Sequence, residues 1–195
     1  MRIIGLTGGI ASGKSTISDM LQSLGAEVVD VDLVGREVVR QGCPAYNKII
    51  ECFGSSILMP DGEINRKKLG NIVFSDPNKL QLLNQITHPA IIDQVNRMVE
   101  AYRQQNKKAV VIDAAILIEM GLHRYVDSVW LVMVDSETQL NRVIERDCLA
   151  EKDARNRINA QMTNEERKAY ADVVIDNSQP IDAVKHVVRE LWTNL

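Results

Sequence analysis

The sequence predicts an α/β fold built on a five-stranded parallel sheet, and three observations carry that prediction. Five short segments rich in β-branched residues are separated by helical stretches. Most of the five are apolar at consecutive rather than alternating positions. The first runs directly into a glycine-rich turn followed by a helical pattern. A strand that is apolar on both faces must be covered on both faces, which helices on either side of a parallel sheet achieve. The 195 residues suit one compact domain carrying an insertion.

Taken in order, Arg2–Thr7 is the first strand, residues 14–24 the helix after it, and residues 27–31 the second strand. Residues 33–108 follow, too long for one crossover and without a convincing strand, so they read as a helical insertion. Within them Pro60, Asp61 and Gly62 mark a turn, and Asp76 before Pro77 has the pattern of a helix N-cap with proline in the first helical position. Leu80, Leu83 and Ile86, then Ile91, Val95, Met98 and Val99, recur at helical spacing on either side of Pro89, which puts His88 at an expected helix boundary. Ala109–Asp113 is the third strand, residues 128–135 the fourth and residues 172–175 the fifth. Core segments are therefore 1–32, 109–141 and 171–195. Residues 142–170 carry Arg142, Arg146, Lys152, Arg155, Arg157, Arg167 and Lys168, a density that suggests a mobile cationic lid. Trp130 and Trp192 read as packing residues.

Composition narrows the function classes. Hydrophobic residues make up 45% and charged residues 25%, as in an ordinary globular protein. A formal charge of −3 argues against a nucleic-acid binder held by an overall basic field. Cys43, Cys52 and Cys148 are odd in number with no C-x-x-C spacing, which points away from disulfides and zinc and towards a reducing cytoplasm. No stretch approaches a membrane span or a signal h-region, so neither membrane nor export is expected.

Gly8, Gly13, Lys14 and Ser15 satisfy G-x-x-x-x-G-K-[ST] between a strand and a helix, the context this phosphate-binding motif needs. At average usage of these residues, a chance match in the chain has a probability under about 1%. Glycines let the backbone turn and aim successive N–H groups at a phosphate, while the helix N-terminus adds positive potential. Gly9, Ala11 and Ser12 belong to the same cradle. Lys14 can follow the β- and γ-phosphates of ATP, the Ser15 hydroxyl can ligate Mg²⁺, and Thr16 lies near the α-phosphate.

Asp30 and Asp32 are two apart at the end of the second strand, so in extended geometry they share a face at the carboxyl edge, where open α/β sheets bind ligands. A carboxylate there can take a proton from an acceptor hydroxyl; Asp32 can equally cap a helix beginning near Leu33. Asp113, ending an apolar strand, can hold Mg²⁺ through water or serve a turn. Arg142 and Arg146 are four apart on one helical face and can clamp phosphates, or pair locally with Glu145 or Asp147.

Together these residues resemble the dephospho-CoA kinases, within the P-loop nucleoside-kinase-like group. The likeness is carried by residues 4–10 with Ser12 to Ser15, Asp30-Val31-Asp32 with Arg36, residues 62–69, and Thr87-His88-Pro89. Further on it rests on residues 139–142 with Arg146-Asp147, Arg157-Ile158 with Gln161, and Ala171-Asp172 leading to Asn177. The resemblance implies a three-layer P-loop NTPase fold with a helical CoA-binding insertion and a lid. It also implies transfer of the ATP γ-phosphoryl group to the ribose 3′-hydroxyl of dephospho-CoA, with Mg²⁺. Asp32 would then be the general base, Lys14 and Arg142 the other catalytic groups, and Arg36, Arg66 and His88 the acceptor-side residues. Two departures stand out. Ala11 occupies a position where the family often has glycine, tolerable only if the backbone there does not need positive φ. Residues 114–119 replace the usual proline-leucine-leucine-phenylalanine-glutamate pattern, so Glu119 receives no borrowed role. The cradle itself does not name the acceptor. A kinase for another nucleoside or nucleotide, or a nucleotide-dependent switch, fits the same motif.

Overall fold

A computed structural model describes residues 1–195, and the chain divides into two compact units, residues 1–29 with 101–195, and residues 30–100. The strands are β1 (Arg2–Thr7), β2 (Glu27–Asp30), β3 (Ala109–Asp113), β4 (Ser128–Met133) and β5 (Val173–Asp176). The helices are α1 (Lys14–Ser23), α2 (Val31–Glu37), α3 (Pro44–Phe53), α4 (Arg66–Phe74), α5 (Pro77–Gln104), α6 (Ser136–Asp147), α7 (Glu151–Asn159), α8 (Asn164–Lys168) and α9 (Ile181–Thr193).

In the first unit the strands form one parallel sheet in the order β2-β3-β1-β4-β5. The five expected strands are all present, with ends shifted by at most two residues. β3 is buried at every position and β1 at all but its first, as their uninterrupted apolar runs require. Ile4, Leu6, Val111, Trp130 and Ile175 share one core with Ile17 and Leu21 of α1 and Val184 and Val188 of α9. Each such side chain contributes about 1.5–3 kcal/mol by leaving water. Trp130 lies in this core, and Trp192 packs against it beneath the Lys108 ammonium, 4.8 Å from its ring centroid.

Register sets where the central strands end. β1 lies between β3 and β4, with Leu6 opposite Asp113 and Thr7 opposite Leu131, so three strands finish at one edge beside the residue that opens the glycine turn. Because its neighbours lie on opposite sides, the end of β1 is a point where connections diverge and leave a crevice.

The second unit has its own core, in which Tyr46, Ile49, Ile57, Ile64, Leu69 and Val73 are joined by Leu80, Leu83 and Ile86. The expected turn at Pro60 to Gly62 closes through Gly62 N–H donating to Met59 O at 3.0 Å. Asp76 caps α5 as expected, accepting from Asn78 N–H at 3.0 Å.

Two expectations fail here. His88 is not at a helix boundary, because α5 runs through Pro89 without a break. Proline removes one N–H donor and costs about 3 kcal/mol inside a helix. Ile91, Val95 and Val99 are nevertheless buried beyond it, and that apolar stripe holds the helix together. Nor do Asp30 and Asp32 share a strand face. β2 stops at Asp30, whose carboxylate accepts from Leu33 N–H at 3.0 Å and turns the chain into α2.

Candidate nucleotide site

The phosphate cradle lies where β1 becomes α1. Gly13 has φ 83 and precedes the first residue of α1, so the chain turns through a left-handed step that glycine takes without strain. A Cβ at Gly13 would lie 2.0 Å from Asn177 Nδ2, and one at Gly8 would lie 2.4 Å from Val132 O. Both positions therefore need glycine for space. The N–H groups of Lys14 and Ser15 sit in the first turn of α1, where no intrahelical acceptor exists, and no side chain caps them. They are donors awaiting an anion.

Ala11 corrects an expectation. Its φ is 58, so the position does adopt the left-handed region, and the methyl group is accommodated under strain of about 1–2 kcal/mol. Ala11→Gly is expected to stabilise the chain by about 1 kcal/mol, seen as a Tm higher by about 2–4 °C. An unchanged or lower Tm in a thermal melt would mean that the Ala11 methyl makes compensating contacts.

The loop is pinned from three later segments. Gln139 Nε2 donates to Ile10 O at 2.9 Å, Ile10 N–H donates to Gln161 Oε1 at 2.7 Å, and Asn177 Nδ2 donates to Ser12 O at 2.8 Å. These three amides hold the backbone that would hold phosphate. Sequence reasoning assigns them no role, since a neutral amide has no spacing signature; the one available sign is Gln139 on the same helical side as buried Leu140 and Val143.

Arg142 lies over the same loop. α6 starts at Asp135, whose carboxylate accepts from Thr138 N–H at 2.8 Å. The Thr138 hydroxyl and N–H hold the Asp135 pKa down to about 2. From that start α6 buries Leu140 and Val143 and carries Arg142 to Ala11 O at 3.5 Å and Asn177 O at 3.2 Å. Arg146, one turn on, forks onto Asp147 through Nε at 2.9 Å and Nη2 at 3.2 Å, and Arg157 Nη1 meets the same carboxylate at 2.8 Å. Those partners hold the Asp147 pKa below its ordinary value, hydrogen bonding from Arg146 first. Of the seven cations between residues 142 and 168, Arg142 and Arg146 line the nucleotide cavity; Arg155 pairs with Glu151, and Lys168 with Glu165. The expected lid boundary at 142 falls inside the continuous α6.

Residues 8–16 with Ala115, Arg142, Glu145, Arg146, Gln161, Asn177 and Ile181 enclose a cavity of about 810 Å³. Lys14 Nζ is ion-paired with Asp113, the acid that register sets beside Leu6. Ser15 is exposed, with its hydroxyl free to ligate. No cluster of three His, Cys, Asp or Glu side chains forms a self-sufficient cation cage. Ser15 and Asp113 instead suit Mg²⁺, which takes one or two protein ligands and completes its shell with phosphate and water.

The remaining candidates belong to the second unit. Asp32 is exposed in the first turn of α2, which Asp30 rather than Asp32 caps, so the capping role is excluded. Arg36 lies one turn on from Asp32, and Arg66 Nη2 donates to Arg36 O at 3.3 Å, so two of the expected acceptor-side residues meet. His88 lines a cavity of about 500 Å³ with Pro77, Leu80, Asn84 and Gln85. Burial lowers its pKa, so the imidazole is neutral at pH 7.

A family model described as CoaE, dephospho-CoA kinase, matches residues 2–183. The chain belongs to the dephospho-CoA kinase family. It is 47% identical over 192 residues to the dephospho-CoA kinase of Geobacter sulfurreducens, covering 98% of both chains. The crystal structure of TT1252 from Thermus thermophilus superposes with a TM-score of 0.82 at 26% identity over 100% of this chain and 97% of that one. The dephospho-CoA kinase from Campylobacter jejuni gives a TM-score of 0.75 at 26% identity over 98% and 95%. Family membership thus extends over nearly the whole length, including the α2 and α5 segments that the phosphate motif alone says nothing about.

Proposed function

We propose that this chain transfers the γ-phosphoryl group of ATP to the ribose 3′-hydroxyl of dephospho-CoA, giving CoA and ADP. The observation that carries the reading is the convergence of Lys14, Ser15, Asp113, Arg142 and Arg146 around a glycine cradle, in a member of the dephospho-CoA kinase family. Phosphoryl transfer needs little covalent help from a protein; it needs donors fixed around the phosphates and an oriented nucleophile. The N–H groups of Lys14 and Ser15 supply the first, and Lys14 exchanges Asp113 for the β- and γ-phosphates when nucleotide enters. The contacts of Arg142 to two carbonyls are long enough to be given up for a charge-assisted pair with phosphate. Ser15 and, through water, Asp113 would hold Mg²⁺, which when bound would neutralise charge on the phosphates. Asp32 accepts the 3′-hydroxyl proton, while Arg36 and Arg66 bind the anionic acceptor, with neutral His88 offering a hydrogen bond rather than a charge.

Residues 148–170 act as a lid over the nucleotide in this reading, with Arg142 and Arg146 supplied from α6 beneath it. The three free cysteines suit a reducing cytoplasm, and no helix is long and apolar enough to cross a membrane. Incubation with Mg·ATP and a panel of dephospho-CoA, adenosine, AMP and pantetheine phosphate is expected to phosphorylate dephospho-CoA alone, read by mass. Preferred phosphorylation of adenosine or AMP would replace the acceptor, and slow hydrolysis with no acceptor dependence would favour a nucleotide switch. In the same mixtures a non-hydrolysable ATP analogue is expected to slow proteolysis around residues 150–157; unchanged cleavage would remove the lid.

A further inference from the structure

We infer that Arg167 is a buried positioning residue that fixes the phosphate loop at Gly9 against the two segments flanking it. The proposal rests on the nucleotide-site reading and adds to it a residue with no assigned role. Arg167 lies on α8 with its side chain only 2% exposed, the one fully buried cation in the protein. A Cβ placed on Gly9 would meet Arg167 Nη1 at 3.5 Å and Gln139 Nε2 at 2.9 Å, so the guanidinium lies directly behind the cradle backbone. Its other partners belong to segments that also reach the nucleotide. Nη1 donates to Met162 O, the residue after Gln161, whose side chain accepts from Ile10 N–H. Nη2 is 3.8 Å from Glu119 Oε1, in the segment that follows Asp113 and Ala115. Nε has no partner at all.

Such a placement is unfavourable on stability grounds alone. Burial pushes the guanidinium pKa below its ordinary value, and Glu119 and Glu166 only pull it part of the way back. Replacing a whole buried ion pair with apolar side chains of similar volume is often neutral or stabilising. What an apolar residue could not do is donate to Met162 O while setting a charge beside Glu119 and a planar group behind Gly9. Arg167 holds the 162 turn, and through Gln161 the Ile10 N–H, while its charge faces Glu119. Glu119, which borrows no role from the family pattern, is the counter-charge of this group.

The test separates positioning from packing. Arg167→Met keeps the volume and removes the donors, and Glu119→Gln removes the counter-charge at a side chain that is 33% exposed, where folding is not at risk. Nucleotide affinity is measured alone, by titration with a fluorescent ATP analogue, so the result does not depend on which acceptor is correct. Arg167→Met is expected to weaken ATP binding about 10-fold or more and to lower kcat by a similar factor, with the acceptor KM within about 2-fold of the parent. Arg167→Lys, which restores charge and one donor, is expected to recover part of both losses. Glu119→Gln is expected to weaken ATP binding about 2- to 5-fold, and the double variant to do no worse than Arg167→Met alone, as for two residues acting in one contact. Parental ATP affinity in Arg167→Met, a lowered Tm without a kinetic change, or fully additive effects in the double variant would each overturn the proposal. If Arg167→Met does not fold, the Glu119→Gln titration decides: parental affinity there overturns it, and weakened affinity with an unchanged acceptor KM supports it.

Discussion

Asp32→Asn is expected to lower kcat by at least about 10²-fold while leaving ATP affinity and the fold unchanged. The structure sharpens this expectation by sorting the three acids that compete for the role of base. Asp30 is committed to Leu33 N–H as the cap of α2, and Asp113 to the Lys14 ammonium. Asp32 is exposed and carries no such engagement. Asparagine keeps its size and polarity in the first turn of α2 and loses only a favourable charge near the helix N-terminus, about 0.3–1 kcal/mol. The melt should therefore fall by no more than a few degrees, whereas an amide cannot accept the 3′-hydroxyl proton. A variant that melts like the parent and transfers phosphate at more than about a tenth of its rate would show that Asp32 is not the base.

Lys14→Ala is expected to cost about 10²–10³-fold or more in kcat/KM, since it removes a charged donor aimed at the phosphates. Here the structure adds a cost in stability that the motif alone does not reveal. Lys14 neutralises Asp113, whose side chain is 11% exposed, so the alanine variant leaves a largely buried carboxylate without its partner. A loss of about 1–3 kcal/mol follows, short of the full cost for a completely buried pair because both groups retain some solvent. Lys14→Ala combined with Asp113→Asn is expected to recover most of the melting temperature and none of the activity. Near-parental transfer by Lys14→Ala would overturn the phosphate role of Lys14. Failure of the double variant to recover the melt would show that Asp113 is not the source of the instability.

The sheet was legible because continuous apolar runs admit one reading once helical segments separate them, and the nucleotide site was legible because a phosphate cradle needs glycines and a cation at fixed intervals. The Asp30 and Asp32 roles were not legible: both acids suit an N-cap, and the one-residue shift in the end of β2 lies within the ordinary spread of an element's end. His88 was misplaced because the rule that helices stop before proline is local, whereas the stripe from Leu80 to Val99 that keeps α5 continuous is decided by packing. Ala11 was misjudged for a related reason, since its φ is imposed by a loop pinned from outside rather than by its own preference. Arg167 reads in sequence as one more surface cation, and only its burial sets it apart.

The three amides that pin the phosphate loop carry a consequence for the order of assembly. Their contacts join Ile10 and Ser12 to residues 129, 151 and 165 positions later in the chain. Closing loops of that length demands prior organisation of everything between, so these bonds form late and together rather than one by one. The glycine cradle is therefore translated as sequence well before it exists as a shape, which waits until Asn177 has emerged and β5 has joined the sheet. Until then the emerging chain holds the letters of a nucleotide site without its grip, and the competence to bind arrives with the last strand.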